Sequence, residues 1–343
     1  MQLWREAMQS ALYGPDGFYR RHEPREHFRT SVVASPLFAT ALARLAAAVD
    51  EVVGQPEVFE LVDVGAGSGE LVSGMLDALP PDLARRVRPV AVDVRPRPPG
   101  LRADVHWTSE VPTSVTGLLV AHELLDNVPC DVLERVDGEL LQVVVDSTGR
   151  EDAGPHATGE QRRWIDTWWP VLADGDRVEC GTTRDQWWGD LVAIVVRGAA
   201  LAVDYGHVRE ERDGGAFAAA TLTGYRDGVQ VAPVPDGKCD LTAHVAVDSC
   251  ADAGRRAGAA DTTLMRQREA LLALGVDGSL PDRSLAHSEP AEYVRQLSSA
   301  SAAAELLDPS SLGSFWWLLQ SKGVPLPSLG GSSDPSGSEA LAG

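Results

Sequence analysis

The apolar pattern of the chain changes its period near residue 58. Before that point Leu3, Trp4, Met8 and Leu12 share one face of a short helix, followed by the turn-rich YGPDGFY. Leu37, Phe38, Ala41, Leu42 and Leu45 then repeat at helical spacing behind Ser35-Pro36, which serve as cap and first turn. From Val58 the pattern becomes one of short continuous runs. FELVDV, VRPVAVDV, ADVHW and GLLVAHEL read as strands, and Leu71, Met75, Leu76 and Leu79 place a helix after the first of them. Runs that are apolar at nearly every position belong to strands covered on both faces, so their alternation with helices predicts a parallel sheet with crossovers.

Beyond Asp131 the reading is less regular. VLERV and ELLQVVVD form a hairpin around Asp137-Gly138. One helix carries Trp164, Trp168 and Val171, a second carries Trp187, Leu191 and Ile194, and AALAVDYG is a further buried strand. Residues 206–238, rich in Gly and Pro, read as a long loop of the kind that covers active sites. DLTAHVAVD reads as a strand, and MRQREALLALG as a C-terminal helix closed by Gly275. The paired tryptophans 168-169, 187-188 and 316-317 are expected to pack in cores. The organisation that follows is an N-terminal helical cap over 1–50, an α/β domain over 51–325 with insertions near 150–195 and 206–238, and a disordered tail over 328–343.

The strongest local chemistry is Val62-Asp63-Val64-Gly65-Ala66-Gly67-Ser68-Gly69-Glu70, a glycine-rich turn between a buried strand and a helix. Glycines let the backbone approach a ligand closely, and the helix start offers free N–H groups to an anionic one. The spacing is G-x-G-x-G, whereas the dinucleotide fingerprint is G-x-G-x-x-G, which argues against a nicotinamide enzyme. Asp93 ends the next strand 24 residues after Gly69, where an acid can hold both hydroxyls of a ribose. Asp63 can hold a charged amino group or brace the loop. Together these predict S-adenosylmethionine as cofactor, bound by Asp63, Gly65, Ala66, Gly67, Gly69, Asp93 and His122. They also predict a Rossmann-like class I methyltransferase fold with a mostly parallel seven-stranded sheet.

A second cluster, AHELLDNVP, follows the fourth strand and sets Glu123 at the carboxyl end of the sheet, where such folds place ligands. Methyl transfer from a sulfonium is a direct displacement, so the protein has to align a nucleophile and manage its proton. Glu123 and Asp126 suit a planar cation such as guanidinium, which paired carboxylates bind through its fork; they equally suit bracing of the following turn. His122 is open between a base and a satisfied core histidine. Asp204, with Tyr205 beside it, is a third candidate at the same edge and is open between site and turn.

Composition narrows the partners. Lys and Arg total 30 against 50 Asp and Glu, a net charge of −20, which repels phosphate backbones and excludes nucleic acid as an expected partner. The four cysteines, 130, 180, 239 and 250, form no C-x-x-C pair and read as reduced thiols. The histidines show no metal-ligand spacing, so no metal is expected. MQLWREAMQS lacks the apolar run of a secretory leader, and the longest apolar stretch, 191–203, is broken by Arg197. A cytoplasmic protein without a membrane partner is the expectation.

Taken in order, YGPDGFY, FRTSVVASPLF, VDVGAGSGEL, AHELLDNVPCDVLERV, AVDYG, TLTGYRDGVQVAPVPDGKCDLTAHVAVD and QREALLALGV resemble the MidA family of methyltransferases over about residues 13–325. Mitochondrial members of that family are associated with complex I assembly as protein-arginine methyltransferases. The resemblance implies cofactor binding by Gly65, Gly67, Gly69 and Asp93. It also implies an acceptor pocket near Glu123, Asp126 and Asp204, and a protein substrate, arginine among its side chains. Three positions depart from the family pattern: Val32-Val33 stand where Pro-Glu is usual, His122 where Asn is usual, and Glu26-His27 where Gly-Asp is usual. Acceptors of other kinds stay open, a small molecule in a Trp-lined pocket or no acceptor at all in a cofactor-binding assembly factor.

Overall fold

A computed structural model of the chain describes residues 1–21, 31, 35–170, 173–213 and 215–330. The expected tail from 331 on, Val171, and the departures at 26–27 and 32–33 lie outside the described residues. Helices α1 (Trp4–Met8), α2 (Phe18–Arg21) and α3 (Pro36–Val53) open the chain. The Ser35 hydroxyl caps α3 by accepting the Leu37 N–H at 3.1 Å, and Gly54 ends the helix in the left-handed conformation that such ends require.

Strand β1 (Phe59–Val64), helix α4 (Glu70–Ala78), β2 (Val87–Val92), β3 (His106–Thr108) and β4 (Val115–His122) follow as read from the sequence. Next come the hairpin β5 (Asp131–Val136) and β6 (Glu139–Val145), helix α5 (Gly159–Trp168), β7 (Arg177–Cys180), α6 (Thr182–Ile194) and β8 (Val195–Asp204). The chain continues through β9 (Thr223–Arg226), β10 (Val229–Val231), β11 (Asp240–Thr242) and α7 (Val247–Arg256). It closes with β12 (Asp261–Arg266), α8 (Gln267–Ala273), α9 (Pro290–Leu306) and β13 (Trp316–Lys322).

The main sheet has the order β12-β13-β8-β4-β1-β2-β3. All neighbours from β8 to β3 are parallel, and β13 runs antiparallel to both β8 and β12. Continuous apolar runs are explained by coverage of both faces. Leu61, Leu118, Val120, Leu201 and Val203 pack under α3 and α4, while Val62, Leu119, Ala121, Ala200 and Ala202 pack against Trp188, Leu191 and Cys250 of α6 and α7. A second, antiparallel sheet is built on β7-β5-β6. Its inner face and β11 bury Trp4, Met8, Leu12 and Phe18, which seats the N-terminal segment against the middle of the chain.

Several expectations are corrected. DLTAHVAVD is not one strand: β11 stops at Thr242 and α7 begins at Val247. Residues 206–238 are not a single loop, since they contain the β9–β10 hairpin. MRQREALLALG splits at Arg266, the end of β12, and its helix is not the last element, because α9 and β13 follow. The tryptophan pairs divide rather than pack together: Trp188 and Trp317 are fully buried, and Trp187 is 39% exposed. The four cysteines are free and buried. Among the described residues no helix is long and apolar enough to cross a membrane, and no group of His, Cys, Asp and Glu is arranged to hold a metal ion.

Candidate active site

Strands β1, β2, β4 and β8 all end at one edge of the sheet, and the chain leaving each of them lines a cavity of about 960 Å³. That is the upper end of the range for small-molecule sites, about 300–1,000 Å³. We group its lining residues into a first lobe of Asp63, Gly65, Ala66, Gly67, Asp93, His122 and Glu123, and a second lobe of Tyr13, Tyr19, Asp126, Tyr205, Asp240 and His244.

The turn after β1 is held in shape by backbone bonds from Gly65 and Ala66 to the Val92 carbonyl at 2.9 and 3.1 Å. Gly65, Gly67 and Gly69 all have positive φ, between 61° and 79°. Their surroundings differ. A Cβ on Gly65 would meet Leu124 Cδ1 at 2.9 Å, whereas on Gly67 it would find only Arg95 Nη2, at 3.6 Å, so Gly67 is the glycine that opens onto the cavity. Gly69 stands off the cavity wall as the N-cap of α4, against Leu101, and its requirement is one of packing and turn geometry.

Asp63 is buried, and its Oδ2 has no hydrogen-bond partner. Burial pushes its carboxyl up to about 7, only partly offset by the nearby His122. Asp93, at the end of β2, accepts the Gly67 N–H at 2.9 Å and is paired with Arg95. Glu123 occupies the left-handed region at φ 48°, a strained position for a side chain of its size, and its N–H is tied to the Val203 carbonyl at 2.8 Å. Its Oε1 lies 3.1 Å from His122 Nε2 and accepts the Ser31 N–H at 3.2 Å.

In the second lobe Asp126 Oδ2 accepts hydrogen bonds from Tyr205 and Thr242, while its Oδ1 is buried and unpartnered. Asp240 receives the Tyr19 hydroxyl at 2.9 and 3.0 Å and the Asn127 amide at 3.2 Å. Burial raises the carboxyls of both, and for Asp240 the charge of Asp126 adds to it. Asp204 is not on the cavity wall. Its Oδ2 accepts the N–H groups of Leu125 and Asp126 at 2.9 and 3.2 Å, so it holds the turn that presents Asp126. Its carboxyl lies well above the usual range because of burial and the neighbouring Asp126 and Glu123.

Four of the buried side-chain atoms without hydrogen-bond partners, Asp63 Oδ2, His122 Nε2, Asp126 Oδ1 and His244 Nδ1, belong to residues lining this one cavity. An orphaned buried polar atom is costly, and where it faces a cavity a ligand can complete its bonding. Sequence reasoning missed Tyr13, Tyr19, Asp240, His244 and Arg95. The first four sit in YGPDGFY and DLTAHVAVD, segments that read as a turn and a strand, and only the tertiary fold brings them together.

Relatives of the chain bear on this geometry directly. A family described as "Putative S-adenosyl-L-methionine-dependent methyltransferase" matches residues 41–264, well over half of the chain. The protein belongs to this methyltransferase family. The resemblance read from its motifs agrees with that membership. The methyltransferase is also similar to a COG1565 superfamily protein of Burkholderia thailandensis solved bound to S-adenosyl-homocysteine. The two are 26% identical with a TM-score of 0.80, over 95% of this chain and 89% of that one. A native structure of a COG1565 superfamily protein from the same organism gives 25% identity and a TM-score of 0.79, over 97% and 91% of the two chains. No curated protein matches the chain. The enzyme uses S-adenosylmethionine. Its first lobe fits that cofactor: an open glycine turn, a buried carboxylate lacking a partner, and an acid at the end of the second strand.

Proposed function

We propose that the methyltransferase transfers its methyl group to a nitrogen of a protein side chain, arginine being the acceptor that the second lobe suits. The observation carrying this reading is the unpartnered Asp126 Oδ1 on a wall that also presents Asp240, Tyr13, Tyr19 and Tyr205. Carboxylates accept the N–H groups of a guanidinium, and phenol rings cover its apolar stem and its planar cationic face. Among the described residues Trp187 is the one tryptophan on the cavity, so the acceptor lobe is tyrosine-lined rather than Trp-lined.

In this reading Gly65, Ala66 and Gly67 receive the methionyl part of the cofactor, Asp63 its ammonium and Asp93 its ribose. The bound cofactor supplies a methyl group on a sulfonium, an electrophile that needs no further activation. Glu123 takes the proton that the acceptor nitrogen loses, and Asp126 orients that nitrogen. Asp204 is a positioning residue that acts through the turn at 125–127, and His122 lies beside Glu123. The strand order, with one antiparallel strand inserted next to the sheet edge, supports assignment to the Rossmann-like class I methyltransferases. Residues 51–325 form the catalytic unit in this reading, to which the N-terminal segment lends Tyr13 and Tyr19. Four free, buried cysteines accord with a reducing cytoplasmic setting.

The test is incubation of the purified enzyme with methyl-labelled S-adenosylmethionine and a protein extract, followed by acid hydrolysis and amino-acid analysis. Label recovered as methylarginine is the expected result. Label confined to the small-molecule fraction overturns the reading.

A further inference from the structure

The two oxygens of a carboxylate accept about four hydrogen bonds between them. At Asp93 four donors are already in place. Oδ2 receives the Gly67 N–H at 2.9 Å and Arg95 Nη2 at 3.3 Å, and Oδ1 receives the Arg95 N–H at 2.9 Å and Arg95 Nε at 3.1 Å. Two of these donors are backbone groups that cannot leave. Gly67 is set by the glycine turn, and the main chain of Arg95 is pinned by Trp107 Nε1, which donates to its carbonyl at 2.9 Å. The guanidinium is the donor that can leave, since it is carried on a rotatable side chain that lines the cofactor lobe directly over Gly67.

We infer that Arg95 is a latch on the ribose position: its guanidinium fills the bonding positions on Asp93 that two ribose hydroxyls require, and it turns away when they arrive. The inference rests on the reading of Asp93 as the ribose acid. Displacing the latch costs the same for S-adenosylmethionine as for S-adenosylhomocysteine, because both carry the same ribose. It therefore weakens the hold on substrate and product together and leaves the preference between them unchanged. An enzyme whose product differs from its cofactor by one methyl group gains from this, because a pocket that gripped the ribose at full strength would retain the product as well.

The experiment is calorimetric titration of the full-length protein with S-adenosylhomocysteine, adenosine and 2′,3′-dideoxyadenosine. Arg95→Met keeps the apolar stem and removes both side-chain donors. It should bind S-adenosylhomocysteine and adenosine about two- to fivefold more tightly than wild type, the change expected for the loss of one ion pair of modest strength. Arg95→Lys should show a smaller gain, and the dideoxynucleoside none. Weaker binding by Arg95→Met overturns the latch and makes Arg95 part of the grip on the cofactor. Equal gains for adenosine and its dideoxy analogue overturn it as well. Unchanged binding in Asp93→Asn overturns the ribose role of Asp93 and the latch with it, whereas a loss there without a gain in Arg95→Met overturns the latch alone.

Discussion

In the proposed reading, where it holds the cofactor's ammonium, Asp63 serves binding against folding. Removed from water and lacking a partner for Oδ2, its carboxyl titrates near neutrality instead of near 4. A cationic ammonium binds the ionised form, so affinity for S-adenosylmethionine should be about tenfold greater at pH 8 than at pH 6, set by the ionised fraction on either side of 7. Asp63→Asn should flatten that dependence, weaken binding at pH 8, and stabilise the unliganded fold by about 1–3 kcal/mol, since a charge need no longer be buried. Titration calorimetry at three pH values, with melting curves of both proteins, checks each part. Asp63 and Asp93 stood out in the sequence because the first lies just before the glycine-rich turn and the second ends the next strand, 24 residues after Gly69. Asp240 and His244 were not visible. Their chemistry depends on Tyr19 and Tyr205, partners 221 and 39 positions away.

At the scale of elements, those written by local rules were readable. Helix α3 has its cap, its proline, its apolar face and its terminal glycine in the right order, and strands β1, β2, β4 and β8 are continuous apolar runs that a doubly covered sheet demands. Ser35→Ala should cost about 1 kcal/mol through the lost bond to Leu37, read as a lower midpoint in chemical denaturation with unchanged slope. The elements that sequence reasoning lost are those without such a pattern. Strand β12, DTTLMR, is at the sheet edge and only half buried, so tertiary pairing rather than period decides its conformation. Strand β13, WWLLQSK, begins with two aromatics that read as packing residues, and its buried Gln320 is satisfied by Trp188 and Thr262, partners that no local pattern announces.

The whole molecule carries opposed ionisations. Asp63, Asp126, Asp204 and Asp240 all have raised carboxyls, so the stability each contributes is complete below its unfolded value near 4 and is lost as pH rises through the folded value. His207, pushed down to about 2 by burial and the adjoining Arg212, and His244, lowered by burial and Arg184, work the other way. Their contribution is present above about 6.5 and is lost as pH falls below it. Acidification from pH 8 should therefore raise the melting temperature of the unliganded protein, less steeply below about 6.5 where the two histidines oppose the four carboxyls, and acidification below about 4 should lower it. A melting series across that range checks the turning point; a monotonic fall from pH 8 downwards would refute the balance.

The position of β13 has a consequence for how the protein is made. The last strand of the sheet is inserted between β8 and β12, pairing with segments that left the ribosome fifty or more residues earlier. Until it arrives, β8 presents an open hydrogen-bonding edge lined with valine and alanine, the kind of template on which nascent chains stick to one another. The sheet consequently cannot close until β13 has left the ribosome. A nascent chain of this enzyme should depend on holding chaperones until its final strand is free, and a message cut short before residue 316 should yield aggregate rather than a smaller working protein.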